Sequence, residues 1–190
     1  EHGSVSSDGP WSWVIDPIDG TQRFIHGQPT FGCLIALLYE HQPVLGIIDM
    51  PALNERWLGV TGKPSTHNGD HCQSSNRKLL AEATVFATSI DMFTDAERQQ
   101  FDHLSAAARY RNFGADCYAY GLLASGHADI VMESDMSIYD FLALVPVIEG
   151  SGGCISDWHG KPLNDLSGRQ VLATANPTLH EQCLGMIRTG

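Results

Sequence analysis

Two aspartates three residues apart, Asp16 and Asp19, follow an apolar run in the segment WVIDPIDGTQRF. The run at residues 13–15 predicts a short buried strand that ends at Pro17, because proline cannot donate a hydrogen bond to a sheet. The turn then brings the two carboxylates together, and close carboxylates repel each other unless a cation lies between them. Mg²⁺ prefers oxygen ligands of this kind. Taken alone, the same pattern is also typical of a simple turn after a strand.

Gly20 and Thr21 come directly after the second aspartate and predict a phosphate site. Glycine lets the backbone approach a ligand closely, and Thr21 is predicted to cap a short helix over residues 22–26. The free N–H groups at the start of a helix favour anions such as phosphate. The sequence therefore places a predicted metal site and a predicted phosphate site one residue apart.

The string DPIDGT after an apolar strand resembles the first signature of the inositol monophosphatase family, which consists of Mg²⁺-dependent phosphatases. The second signature of that family is an aromatic–Asp pair at the start of a helix, followed by an acidic residue and two glycines. This chain has Tyr139 and Asp140, then Glu149 and the glycines of residues 150–153. Further segments resemble the histidinol-phosphatase branch of the family: EHG at 1–3, PTFG at 29–32, GADCY at 114–118, YDF at 139–141 and PVIEG at 146–150.

The resemblance implies a site for two or three Mg²⁺ ions, with Asp16 bridging two of them. One ion would also take the carbonyl oxygen of Ile18 and a glutamate near the start of the chain, which is either Glu1 or the residue before it. The other would take Asp19 and Asp140. The metal ligands implied by the resemblance are thus Glu1, Asp16, Ile18, Asp19 and Asp140.

The same resemblance assigns catalytic roles to Asp16, Asp19 and Thr21. Gly20 and Thr21 would bind the phosphate, and the Thr21 hydroxyl would orient the attacking water together with an aspartate that the family places upstream. Because the first residue is Glu1 rather than Met, we expect the chain to begin inside a longer protein. We expect this chain by itself to bind Mg²⁺ weakly and to turn over poorly.

Three carboxylates are candidates for substrate binding: Asp116, Glu133 and Asp140. The resemblance places Glu133 against the organic part of the substrate. Histidinol phosphate carries an amine and an imidazole, so carboxylates near its leaving group would favour it, whereas an inositol ring offers only hydroxyls. Asp116 precedes a predicted helix, and its alternative role is an ordinary N-cap.

The predicted reaction is the hydrolysis of L-histidinol phosphate to L-histidinol and phosphate, a step of histidine biosynthesis. Within the family, the alternatives are phosphatases for an inositol phosphate, a nucleotide 3′-phosphate or a sugar bisphosphate. An alternative of another class is a non-catalytic metal-binding remnant. The presence of Asp16, Asp19, Thr21 and Asp140 argues against that remnant.

Composition restricts the partners of the protein. The net charge of −11 argues against nucleic acid and anionic membranes, both of which require basic surface. No apolar run approaches the roughly 20 residues of a membrane span. The five cysteines are scattered without metal-type spacing, which favours reduced thiols and a cytoplasmic location. A homodimer is expected from the resemblance alone.

The chain length of 190 residues with 43% hydrophobic content predicts one domain with two halves. Residues 1–82 predict an antiparallel meander, with strands at 31–39, 44–48 and 54–60 followed by a loop at 61–75. Residues 83–190 alternate between strands and helices, which indicates a layered α/β half. Helices are predicted at 94–108, 117–125, 139–149 and 177–187, the first of them with a capping box formed by Thr94 and Glu97 at its start. Strands are predicted at 84–88, 109–113, 128–132 and 171–174. The resemblance implies an αβαβα sandwich.

Overall fold

The first half of the chain forms an antiparallel sheet in the computed structural model, which describes residues 9–189. Its six strands follow one another in chain order as a meander. The predicted hairpin and third strand are confirmed, but the predicted loop at 61–75 contains a further short hairpin. The strands are β1 (Trp11–Asp19), β2 (Gly32–Tyr39), β3 (Gln42–Met50), β4 (Glu55–Val60), β5 (Thr66–His67) and β6 (Asp70–His71).

The second half contains a mixed five-stranded sheet in the order β10-β11-β9-β7-β8. The pairs formed by β7 with β8 and with β9 are parallel, and the pairs formed by β11 with β9 and with β10 are antiparallel. All four predicted strands of this half are present, three of them with shifted ends and the strand at 171–174 as predicted. The strands are β7 (Thr84–Ala87), β8 (Tyr110–Phe113), β9 (Ile130–Glu133), β10 (Cys154–Ser156) and β11 (Val171–Thr174).

Six α-helices connect and cover these sheets in the part of the chain that the structure describes. The predicted capping box of Thr94 and Glu97 is present at the start of α2, but the predicted helix at 139–149 is divided into two. None of the described helices has the length and apolar character needed to cross a bilayer. The helices are α1 (Thr21–Ile25), α2 (Asp95–Ala106), α3 (Cys117–Ala124), α4 (Ile138–Phe141), α5 (Leu144–Gly150) and α6 (Pro177–Thr189).

The described elements form a sheet–helix–sheet–helix stack. One buried cluster joins the first sheet, through residues such as Trp57, to α3, α5 and one face of the second sheet. The other cluster joins the opposite face of the second sheet to α2 and α6, with Phe101 and Leu179 at its centre. This order of layers is the βαβα part of the predicted αβαβα sandwich. Helices α3 and α5 therefore lie between the sheets and beside the ends of the strands that carry the predicted site.

The prediction of a short buried strand before Pro17 is wrong. β1 continues through Pro17 to Asp19, and the side chains of Trp13 and Ile15 are 60% and 54% exposed. β1 is the edge strand of its sheet, and its register with β2 shifts between Asp16 and Asp19. Proline is tolerated there because a residue within a bulge at a sheet edge need not donate a ladder hydrogen bond.

Two glycines let α5 and the segment before it lie directly on the first sheet. Gly46 and Gly59 are cross-strand neighbours in β3 and β4. A Cβ atom on Gly46 would lie 1.9 Å from the Ala143 carbonyl oxygen, and one on Gly59 would lie 2.3 Å from the Pro146 carbonyl oxygen. Both contacts are with backbone, which cannot move aside as a side chain could. These close contacts hold Ala143 against the sheet, directly after α4, the helix that carries Asp140.

We expect Gly46→Ala to lower the free energy of unfolding by about 1–3 kcal/mol or more, because the added methyl group must push α5 off the sheet. Gly185→Ala is the matched control, since a Cβ atom there meets nothing within 4 Å. In the control, alanine should raise helix stability by up to ~1 kcal/mol. Urea unfolding followed by circular dichroism measures both changes. A Gly46→Ala protein as stable as the wild type would contradict this seating of α5.

Candidate active site

Three carboxylates from distant parts of the chain meet at the end of β1. Asp16 and Asp19 flank the bulge of β1, and the Ile18 N–H donates to Asp16 Oδ1 at 3.1 Å. Asp140 lies in the first turn of α4, where its Oδ2 accepts a 2.7 Å hydrogen bond from the Ser137 N–H in a capping box. One oxygen from each of the three carboxylates lies within 4.8 Å of the others. We call Asp16, Asp19 and Asp140 the carboxylate cluster.

The electrostatics of the carboxylate cluster favour a bound cation. Burial raises the pKa of Asp19 to about 7, against hydrogen bonds from Cys117 that lower it. Burial also raises the pKa of Asp140 to about 7, and the charges of Asp19 and Asp16 add to the rise. Carboxylates held this close in a desolvated place are costly unless a positive charge lies between them. An all-oxygen donor set of this kind fits Mg²⁺ rather than zinc.

Asp19 also fixes the start of α3. Its Oδ2 accepts a 2.7 Å hydrogen bond from the Cys117 N–H, so the side chain that caps α3 comes from β1. The alternative prediction for Asp116 holds in position only: Asp116 is the N-cap residue of α3, but its side chain makes no cap hydrogen bond. The carboxylate cluster is thereby tied to the helical layer between the sheets.

Thr21 does not cap α1, as it was predicted to do. Gly20, in the left-handed conformation with φ 77°, occupies the N-cap position, and α1 begins at Thr21. A Cβ atom at Gly20 would lie 3.2 Å from the Thr30 carbonyl oxygen, so a larger residue would be crowded as well as strained. The Thr21 hydroxyl donates to the Ile18 carbonyl oxygen at 3.1 Å. The predicted carbonyl ligand and the predicted water-orienting hydroxyl are therefore in contact.

The carboxylate cluster, Gly20 and Thr21 line a cavity of about 630 Å³. Arg169 also lines this cavity and was missed by the sequence reasoning. Its Nη2 donates to the Asp135 carbonyl oxygen at 2.9 Å, and it forms an ion pair with the Asp135 carboxylate. Nothing in the local sequence distinguishes Arg169 from other surface arginines, so no signal could have found it.

The two other predicted substrate residues line a smaller adjoining cavity of about 250 Å³, which shares Asp19 and Asp140 with the first. Asp116 is bound through Oδ2 to Arg23 Nε at 2.9 Å. Glu133 is only 3% exposed, and its oxygens accept bonds from the Thr88 N–H and hydroxyl and from the Tyr120 hydroxyl.

Burial is the main reason that the pKa of Glu133 is raised. Arg23 and Tyr120 are partners that the sequence reasoning missed. Glu1, the remaining predicted ligand, lies outside the described residues. All other predicted site residues thus line one or both of these two adjoining cavities.

The chain spans about half the length of one curated relative and about two thirds of another. It is 45% identical over 179 residues to the chloroplastic bifunctional phosphatase IMPL2 of Arabidopsis thaliana, covering 90% of this chain and 52% of that protein. It is 34% identical over 179 residues to a histidinol-phosphatase of Chlorobaculum parvum, covering 94% of this chain and 68% of that protein.

A solved structure and a family model agree with these relatives. The structure of an inositol monophosphatase from Zymomonas mobilis matches with a TM-score of 0.93 and 42% identity, over 96% of this chain and 72% of that one. The model of the inositol monophosphatase family matches residues 1–189. The chain therefore belongs to the inositol monophosphatase family.

Proposed function

We propose that the protein hydrolyses small phosphate monoesters with the help of Mg²⁺, and that L-histidinol phosphate is its substrate. The observation that carries the proposal is the carboxylate cluster, whose oxygens converge within 4.8 Å. Asp19 and Asp140 also accept backbone hydrogen bonds, but the repulsion among the three carboxylates destabilises the fold unless a cation binds. Membership of a phosphatase family supports the same reaction.

In the proposed site, Asp16, Asp19 and Asp140 hold the cations, with the Ile18 carbonyl oxygen and Glu1 as further ligands. A Mg²⁺ ion held by these ligands would supply positive charge to the phosphoryl group and would activate a water molecule for attack. Hydrolysis forms a bond from a water oxygen to phosphorus and breaks the bond from phosphorus to the ester oxygen. The products are inorganic phosphate and the free alcohol.

Gly20 and Thr21 bind the phosphate in this proposal, and Thr21 also orients the water. The hydrogen atom of the Thr21 hydroxyl is directed to the Ile18 carbonyl oxygen, which leaves the lone pairs of the hydroxyl oxygen as acceptors. An attacking water that donates to Thr21 would present its own lone pair elsewhere, towards phosphorus. Thr21 is thus an orienting group rather than the base.

The substrate assignment rests on Asp116, Glu133 and Asp140 around the smaller cavity. The amine of histidinol would bind Asp116, because both oxygens of Glu133 accept bonds from protein donors, whereas Arg23 binds Asp116 through Oδ2. Glu133 would hold Tyr120 in place in the wall of the smaller cavity and would not bind the amine itself. The histidinol-phosphatase among the relatives supports this choice.

An inositol phosphate is the second candidate substrate. The Zymomonas protein that is 42% identical in sequence to this chain is an inositol monophosphatase. Arg23 occupies Oδ2 of Asp116, and an inositol hydroxyl can donate to the other carboxylate oxygen as an amine can. By family resemblance we further propose a homodimer and a cytoplasmic location, to which the five free thiols are suited.

We expect Asp116→Asn to lower the ratio of kcat/KM for L-histidinol phosphate over that for p-nitrophenyl phosphate by about ten- to a hundredfold. A charge-assisted hydrogen bond of roughly 1.5–3 kcal/mol corresponds to that factor. Asp70→Asn, at an exposed position of the β5–β6 hairpin, is the matched control and should leave the ratio unchanged. An equal loss with both esters would show that Asp116 supports the site without meeting the amine.

The experiment that tests the proposal is phosphate release by the full polypeptide from a panel of esters with Mg²⁺. The panel contains L-histidinol phosphate, inositol 1-phosphate, a nucleoside 3′-phosphate and fructose 1,6-bisphosphate. The highest kcat/KM is expected for L-histidinol phosphate. A clear preference for inositol 1-phosphate would overturn the substrate and leave the reaction class standing.

A further inference from the structure

Arg23 in α1 binds the carboxylate of Asp116, a predicted substrate-binding residue that lies 93 positions later in the sequence. Its Nε donates to Asp116 Oδ2 at 2.9 Å, and its Nη1 donates to Gln28 Oε1 at 3.0 Å. The side chains of Arg23 and Asp116 are 25% and 12% exposed. A pair this well shielded is less screened than an exposed surface ion pair. The guanidinium is therefore held at two of its donors, with Asp116 as one of the acceptors.

The loop before α3 leaves room for this guanidinium. A Cβ atom on Gly114 would lie only 2.6 Å from Arg23 Nη2. Gly114 also has a φ of 84°, in the left-handed region that favours glycine. The guanidinium of Arg23 thus occupies space that a side chain at position 114 would fill.

The backbone of Asp116 adopts a conformation that needs outside support. Its φ of 48° and ψ of −140° are rare for any residue with a side chain. The next N–H, that of Cys117, is held by Asp19 of the carboxylate cluster, and the Asp116 side chain is held by Arg23. These two contacts on either side of the residue hold it in that conformation. Asp116 also lines the 250 Å³ cavity beside the cluster.

We infer that Arg23 is a positioning residue, which holds Asp116 Oδ2 so that the rest of the carboxylate is presented to the organic part of the substrate. The inference rests on the proposed function, in which Asp116 meets the substrate. Arg23 itself does not line either cavity described here. Its effect therefore passes through Asp116 and should change substrate binding more than the chemical step.

A double-mutant cycle with Arg23→Met, Asp116→Asn and the double variant tests this role. Methionine keeps much of the length of the side chain and removes its donors. We expect Arg23→Met to raise KM about tenfold with kcat within about twofold, and the double variant to match Asp116→Asn alone. Arg23→Lys keeps the charge and should recover part of the loss.

Arg56→Met is the matched control, because Arg56 forms a 2.7 Å ion pair with Asp49 away from both cavities. It should leave KM unchanged. The inference is overturned if the effects of Arg23→Met and Asp116→Asn multiply in the double variant, or if Arg23→Met lowers kcat and leaves KM unchanged. If Arg23→Met loses the fold by circular dichroism, Arg23→Lys and Asp116→Asn complete the same cycle.

The cycle is measured with whichever ester the wild type hydrolyses with the highest kcat/KM. The identity of that ester tests the proposed function, and the coupling between positions 23 and 116 tests the inference. A wild type that prefers inositol 1-phosphate would thus overturn the proposed substrate, while coupling measured with that ester would still support the role of Arg23.

Discussion

Asp16→Asn is expected to abolish Mg²⁺-dependent phosphate release, by roughly a thousandfold or more in kcat/KM. Asp16 contributes an oxygen to the carboxylate cluster and is proposed to bridge two cations. Asparagine keeps the shape and the carbonyl oxygen but removes the charge. A loss of several kcal/mol of charge stabilisation in the transition state corresponds to that factor.

The fold of Asp16→Asn should be retained, because the Ile18 N–H can donate to the amide oxygen as it does to Asp16 Oδ1. Circular dichroism and the midpoint of thermal unfolding in chelator measure this. Asp70→Asn is again the control and should keep full activity. If Asp16→Asn kept a tenth or more of the wild-type rate, the proposed bridging role would be wrong.

The second large effect concerns stability without metal. Burial raises the pKa of Asp19 from 3.8 to about 7, so between these pH values the folded state holds a proton that the unfolded state has lost. The free energy of unfolding therefore falls as pH rises from about 4 to about 7. Each pKa unit corresponds to about 1.4 kcal/mol. The charged, metal-free site destabilises the fold on the order of 2–4 kcal/mol.

Asp19→Asn removes this charge and keeps an oxygen to accept from the Cys117 N–H. In chelator at pH 8 we expect the variant to melt about 5–15 °C above the wild type, while at pH 4 the two should melt together. Saturating Mg²⁺ should raise the melting temperature of the wild type and leave the variant nearly unchanged. Differential scanning calorimetry measures both proteins under all three conditions. A variant less stable than the wild type at pH 8 would contradict a repulsive, cation-seeking cluster.

Much of the fold follows from local sequence, because most helices and strands have recognisable patterns of apolar, turn and capping residues. Alternation of apolar runs with turn residues indicated the meander, and Thr94 with Glu97 marked the start of α2. The errors occur where tertiary contacts override local signals. Pro17 does not end the strand because β1 bulges at a sheet edge. The helix predicted at 139–149 is divided next to Ala143, which is seated on Gly46.

The carboxylate cluster was predictable because its members lie in two recognisable motifs. Their partners were not, since these come from elsewhere in the chain. Nothing near Asp116 indicates that Arg23 binds it, and nothing near Asp19 indicates that it caps α3. Such contacts depend on how the two halves dock, which no local pattern encodes.

The proposed function requires that Asp16, Asp19 and Asp140 hold a catalytic divalent cation. Its most direct test is the initial rate of phosphate release by the full polypeptide from L-histidinol phosphate, measured with Mg²⁺ and again after exchange into excess chelator. The proposed function predicts turnover with Mg²⁺, loss of that turnover in chelator, and its return when Mg²⁺ is added back. Full turnover in excess chelator would contradict it.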